Sequence, residues 1–314
     1  MSSQYKIAVL GLWHLGETYS TGLAELGHTV IGISDDENLI KNFQGGISPL
    51  PEPRLQELIA SNSARGTLAY TTDFSKIRDC NILWITFDTP VDDNDDIDLS
   101  PIWGAFEKSV QYLQDGVLIV VTSQIPVGTS AKIKEFIRAK RPELRSEYVY
   151  SPENLRLGEA MQCFFEPGRV VVGGDTEAGR GMMKEILSGL KTEFLFMSSA
   201  SAEMSKHALN SFLATSLSFI NDIADACEVT GADVADVARA LRSDPRIGPK
   251  AYVSAGMGFS GGTLGRDLKV LMALSREHGI TPSVAEVVYK KNQGRKDLVL
   301  PIRRELGRCA DREQ

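Results

Sequence analysis

The chain has 314 residues, long for a single core, and its 42% of apolar residues is ample to bury two. Lysine and arginine number 34 against 41 aspartates and glutamates, a net charge of −7 with both signs dispersed, which argues against nucleic acid or an anionic membrane as a partner. With no amino-terminal signal pattern and no apolar run of membrane-spanning length, a cytoplasmic protein is expected.

Residues 5–10, YKIAVL, read as a strand, followed by a glycine turn at Gly11 to Gly16 and a helix to about Leu26. Gly27 ends that helix and residues 28–34, HTVIGIS, read as the next strand. This βαβ unit is the usual phosphate cradle of a dinucleotide-binding fold. Two positions depart from its fingerprint: Trp13 stands where a second glycine is expected, and Ser34 where an acid would hold the ribose hydroxyls. Asp35 and Asp36 come one and two places late. Candidate cofactor contacts are therefore Gly11, Trp13, His14, Leu15 and Gly16 at the turn, with Ser34 at the end of the second strand and Asp35 just after it.

Apolar runs at 67–73, 81–87, 116–123, 147–151, 169–174 and 192–198 alternate with helical stretches such as 101–113. Runs apolar at every position suit a parallel sheet covered on both faces, so residues 1–198 are expected to form a Rossmann-like, doubly wound α/β domain. From Ala202 to Val229 the spacing predicts one long helix of roughly 42 Å, with Met204, Ala208, Phe212, Leu213, Leu217, Ile220, Ile223 and Cys227 as its apolar positions. Helices at 234–242, 266–277 and about 283–306 complete an all-helical domain, 199–314. Between the halves of the first domain, the acidic run Asp92 to Asp98 lacks the glycine and glutamate of a calcium loop and reads as a solvated surface loop.

Cys80, Cys163, Cys227 and Cys309 are scattered, as are the four histidines, so no disulfide framework and no metal site is predicted. The first chemical candidate is Lys206 with Asn210, four apart and hence on one helical face.

Loops expected at strand ends carry Thr89 and Pro90, then Ser123 to Thr129 (SQIPVGT), then Ser151 to Ala160 (SPENLRLGEA). The helical half adds Ala202 to Asn210 (AEMSKHALN), Asp244 to Gly248 (DPRIG) and Gly256 to Asp267 (GMGFSGGTLGRD). In this order and at these separations the chain resembles the UDP-glucose/GDP-mannose dehydrogenase family over nearly its whole length. Members oxidise the C6 alcohol of a nucleotide sugar to a carboxylate with NAD through a cysteine thiohemiacetal, in steps typical of polysaccharide biosynthesis. They combine an NAD domain, a central helical dimerisation domain and a carboxy-terminal nucleotide-gripping domain, the last expected to be missing here. The resemblance implies cofactor contacts at Gly11, Gly16, Thr89, Pro90, Ser123 and Arg266. It implies catalytic positions at Glu153, Lys206, Asn210, Thr263 and Asp267, and substrate contacts at Glu153, Asn154, Leu155, Lys206, Asn210, Gly258 and Phe259. Arg246 falls on an arginine that reaches the partner subunit's substrate, so a homodimer is expected. Taken singly, Lys206 also fits a surface lysine, Asn210 a polar contact and Asp267 a helix cap.

Departures from the family pattern narrow the chemistry. Thr263 occupies the position of the nucleophilic cysteine, Arg266 that of a lysine, Gln124 that of a threonine and Leu157 that of a second glutamate. A threonine hydroxyl lacks the thiolate character of cysteine, so the thioester route to an acid is closed. One hydride transfer stays open, with Lys206 and Asn210 removing and guiding the alcohol proton. The expected function is an NAD-dependent oxidoreductase making a single two-electron alcohol/carbonyl conversion on a nucleotide sugar or related sugar. A cofactor-retaining isomerase or epimerase, and a catalytically silent NAD-binding subunit, are the alternatives. NAD is preferred over NADP because Asp35 and Asp36 lie near the ribose corner and no arginine follows.

Overall fold

A computed structural model describes residues 4–90, 97–153, 155–260, 262–281 and 284–295. The amino-terminal elements are β1 (Lys6–Leu10), α1 (His14–Glu25), β2 (Thr29–Ile33), α2 (Glu37–Gln44), α3 (Leu55–Ala64), β3 (Leu68–Thr71), β4 (Ile82–Ile85), α4 (Ser100–Ser109) and β5 (Val117–Val121). They are followed by α5 (Thr129–Lys140), β6 (Ser146–Tyr150), α6 (Ala160–Phe165), β7 (Val170–Gly174), α7 (Glu177–Ile186) and β8 (Phe194–Met197). The helices α8 (Ser199–Thr230), α9 (Val234–Ser243) and α10 (Gly262–Glu277) come next, then a helical stretch at 284–295. The described residues fall into two compact units: the segments up to Pro90 and from Asp98 to Met204, and Ile97 with the part from Ser205 onward.

The first unit is built on one eight-stranded sheet in the order β3-β2-β1-β4-β5-β6-β7-β8. Strands apolar at every position belong to it because both faces are covered. Ile7, Val9, Trp84, Leu118 and Val120 enter one core, while Ala8, Leu10, Leu83, Ile85, Ile119 and Val121 enter the other. Neighbouring strands run parallel except β6 and β7, where the expected parallel sheet becomes mixed. The link between those two strands does not cross back over the sheet. Glu52 accepts the backbone N–H groups of Gly158 (2.7 Å) and Ala160 (3.1 Å) and holds the link near His14, at the end of the sheet where β1 finishes. β7 therefore starts from that end.

In the second unit, Ala214 of α8 packs with Phe259, Leu268 and Val288, and Ile220 packs with Ala238 and Val253. The long helix exists, but its expected apolar face needs correction. Ala208 and Phe212 are exposed, Phe212 at 69%, while Glu203, Lys206, His207, Asn210 and Ser211 are buried. Polar groups occupy that face because partners wait for several of them, as described below. α10 also begins four residues before the expected Arg266, which brings Thr263 and Arg266 inside the helix. Asp92 to Asp96 of the acidic run, Asn154, Cys309 and the expected helix beyond residue 295 lie outside the described residues. Asp98 accepts hydrogen bonds from Ser100 at the start of α4. No helix among the described residues is long and apolar enough to cross a membrane.

Candidate active site

The turn between β1 and α1 depends on two glycines. Gly11 has φ +95°, and a Cβ there would lie 2.6 Å from the Phe87 backbone nitrogen. A Cβ on Gly16 would lie 2.2 Å from the Gly11 carbonyl oxygen, so this residue lets helix and strand pack closely. Trp13, by contrast, is extended at φ −118°, ψ −151°, where a side chain costs nothing, and its indole is 49% exposed.

A cleft of about 740 Å³ opens over this turn. Gly11, Trp13, Ser34, Asp35, Thr89 and Pro90 line it, bringing together cofactor candidates from the ends of β1, β2 and β4. The Thr89 hydroxyl donates to the Gln124 carbonyl (3.0 Å), tying the loops after β4 and β5. Ser123 is fully buried, and its Oγ has no hydrogen-bond partner among the described residues. His14, Leu15 and Gly16 lie at the turn outside the lining, His14 with its Nε2 3.2 Å from Glu52 Oε1. Lys108 of α4 enters the lining unannounced by the sequence reading; its ammonium hydrogen-bonds Asp35 and holds that carboxyl below the usual range.

Behind the turn sits Glu17, with no solvent exposure, accepting a hydrogen bond from the Ser48 hydroxyl (2.7 Å). Burial first, then the nearby carboxylates Glu52 and Asp88, push its carboxyl up to about 7, against the smaller lowering effect of Ser48. Sequence reasoning passed over it, since its partner Ser48 lies 31 positions further along the chain.

The buried face of α8 carries a polar series. Glu203 accepts the backbone N–H groups of Gly128 and Ser130, both at 2.7 Å, and so satisfies two donors at the start of α5. Lys206 is only 7% exposed. In the second unit His207 Nδ1 lies 2.7 Å from Asp267 Oδ1, and Asn210 Nδ2 donates to Asp267 Oδ2; His207 and Asp267 are wholly buried. Asp267 is thus a buried acceptor, which decides against a capping role, and His207 is a functional candidate that the sequence reading missed. Glu203, Lys206, His207, Asn210 and Ser211 follow the three- and four-residue spacing of one helical face, the pattern that would have revealed it.

Glu153 is half-buried, and its carboxylate accepts the Leu155 backbone N–H. Gly258 has φ +94°, and a Cβ there would lie 2.6 Å from Asn292 Oδ1. Asn292 brackets the backbone of buried Phe259, accepting its N–H and donating to its carbonyl, each at 2.9 Å. Arg246 is exposed and hydrogen-bonded through its guanidinium to Asp244 (2.7 and 3.0 Å). Thr263 is exposed in the first turn of α10, whereas Arg266 is buried. Cys80 and Cys227 are buried, and burial pushes the Cys80 thiol up to about 11, away from reactivity.

Residues 5–191 match the model described as UDP-glucose/GDP-mannose dehydrogenase family, NAD binding domain, and residues 200–294 match that family's central domain. The chain is similar to UDP-glucose 6-dehydrogenase of Rhizobium meliloti (strain 1021), 34% identical over 298 residues that cover 93% of this chain and 68% of the relative. To UDP-glucose 6-dehydrogenase TuaD of Bacillus subtilis (strain 168) it is 33% identical, over 92% of this chain and 63% of the relative. Among solved structures, a UDP-glucose dehydrogenase from Pyrobaculum islandicum superposes with a TM-score of 0.87 at 26% identity, covering 93% of this chain and 68% of that one. The chain therefore spans about two thirds of the length of these relatives.

Proposed function

Since the chain belongs to the UDP-glucose/GDP-mannose dehydrogenase family, matched over both its NAD binding and its central domain, we propose that it oxidises an alcohol of a nucleotide sugar to the carbonyl in one two-electron step. The observation that carries this reading is Lys206, a lysine 7% exposed on the buried polar face of α8 with Asn210 one turn on. A lysine buried within a cluster of polar and titratable side chains is a candidate for acid–base work. It serves as the proton acceptor for the substrate hydroxyl, and Asn210, held by Asp267, orients that hydroxyl.

The first unit fits a dinucleotide: Gly11 and Gly16 close the tight turn between β1 and α1, and buried Ser123 Oγ and the lining of the cleft offer polar contacts. NAD, when bound, supplies the hydride acceptor. Gly11, Thr89 and Ser123 border it, and Glu153 and Phe259 contact the sugar. Thr263 at the position of the family's nucleophile leaves no thiol to capture an aldehyde, so oxidation stops there. Two copies assemble through the second unit, with Arg246 serving the partner's site.

The test is incubation of the protein with NAD and UDP-glucose or GDP-mannose, following NADH and trapping the product with hydroxylamine. One NADH per sugar with a trapped aldehyde is expected, and Lys206→Ala should lower kcat by about 100-fold or more with the fold intact. Two NADH per sugar and a carboxylate product would overturn the single-step reading; isomerised sugar without NADH would point to transient oxidation instead.

A further inference from the structure

Three polar residues follow β2 in succession, and the fold gives them different tasks. The Ser34 hydroxyl accepts the backbone N–H of Asp36 (3.2 Å). Asp36 in turn caps α2, its carboxylate accepting from the backbone nitrogens of Asn38 (2.9 Å) and Leu39 (3.0 Å). Both side chains are thereby engaged by their own turn. Asp35 is not; its carboxylate lines the cleft and pairs with the ammonium of Lys108, which reaches it from α4 across 73 positions of sequence. Lys108 also lies 5.8 Å from the centroid of the Phe74 ring, another wall of the cleft. The end of the second strand is where a dinucleotide-binding fold meets the adenosine ribose, and the charge found there distinguishes a 2′-hydroxyl from a 2′-phosphate.

We propose that Asp35 and Lys108 act as one gauge of the ribose 2′ position, admitting NAD(H) while paired and exposing Lys108 as a phosphate site once the Asp35 charge is removed. The inference rests on the dinucleotide reading of the first unit. Asp35, Asp36 and Lys108 leave the corner with one negative charge in excess, which repels a 2′-phosphate. Neutralising Asp35 balances the corner and frees the ammonium of its only carboxylate partner among the described residues. The Ser34 hydroxyl stands beside it as a second donor. Neither side chain of the pair is structural: they are 69% and 52% exposed, so substitutions there leave the fold intact.

The experiment is calorimetric titration of the wild type, Asp35→Asn, Lys108→Gln and the double variant with NADH and with NADPH, with circular dichroism as the check on folding. The wild type should bind NADH at least about tenfold more tightly than NADPH. Asp35→Asn should shift the NADH-to-NADPH ratio of dissociation constants by about 100-fold toward NADPH, and adding Lys108→Gln should take that shift away. An unchanged ratio in Asp35→Asn, or an NADPH gain that survives Lys108→Gln, would overturn the gauge while leaving the dinucleotide site standing. Failure of the wild type to bind either nucleotide would overturn both.

Discussion

Glu17 accepts one hydrogen bond, from Ser48, and no cation pairs with it among the described residues. Burial pushes its carboxyl up to about 7 in the folded chain from an ordinary glutamate value near 4.5, so the folded state holds this proton the more tightly. The favourable contribution is fully present below about pH 4.5 and is lost as pH rises toward 7, beyond which a buried anion is carried at full cost. Glu17→Gln should therefore gain little stability near pH 5 and about 3 kcal/mol near pH 8. Urea unfolding of both proteins at the two pH values checks this; an equal difference at both would show that Glu17 stays ionised throughout. The same side chain shows why single residues were hard to read. An acid at one position of α1 looks solvated until the segment around Ser48 is folded over it.

The elements were more legible than their buried faces. Strand runs and the long helix follow from local periodicity, and the helix came out within three residues of its expected ends. The buried side of α8 could not be read from apolar spacing, because Glu203, His207 and Asn210 are buried by virtue of partners on other elements. Glu203 joins α8 to the start of α5, and Glu203→Ala would leave the Gly128 and Ser130 N–H groups without acceptors, a loss of about 2–4 kcal/mol. Amide hydrogen exchange gives the local reading: protection of Ser130 should fall while that of β5 holds. Retained protection at Ser130 would mean that another acceptor takes over. At the other end of the chain, Asn292→Ala removes both hydrogen bonds to Phe259 and should cost about 3 kcal/mol in urea unfolding.

For the whole molecule, α8 leaves Phe212 and Phe219 exposed at 69% and 49%, seven positions apart and so on one face. Large aromatics in that position are typical anchors between protein copies. Sedimentation velocity should show two copies associated, and Phe212→Glu should shift the population toward one; a wild type that sediments as a single copy would remove the assembly from the reading. By itself, the sequence determined the alternation of strands and helices, the glycine turn, and the ordered motifs that mark the family. All of these depend on backbone preferences and spacings of a few residues. Only the tertiary structure decided that Asp36 caps α2 while Asp35 pairs with Lys108, that the sheet turns antiparallel at β7, and that Asp267 lies between His207 and Asn210. Those outcomes depend on which side chains packing brings together from distant positions, where burial forces each polar group to find a partner that no local pattern names.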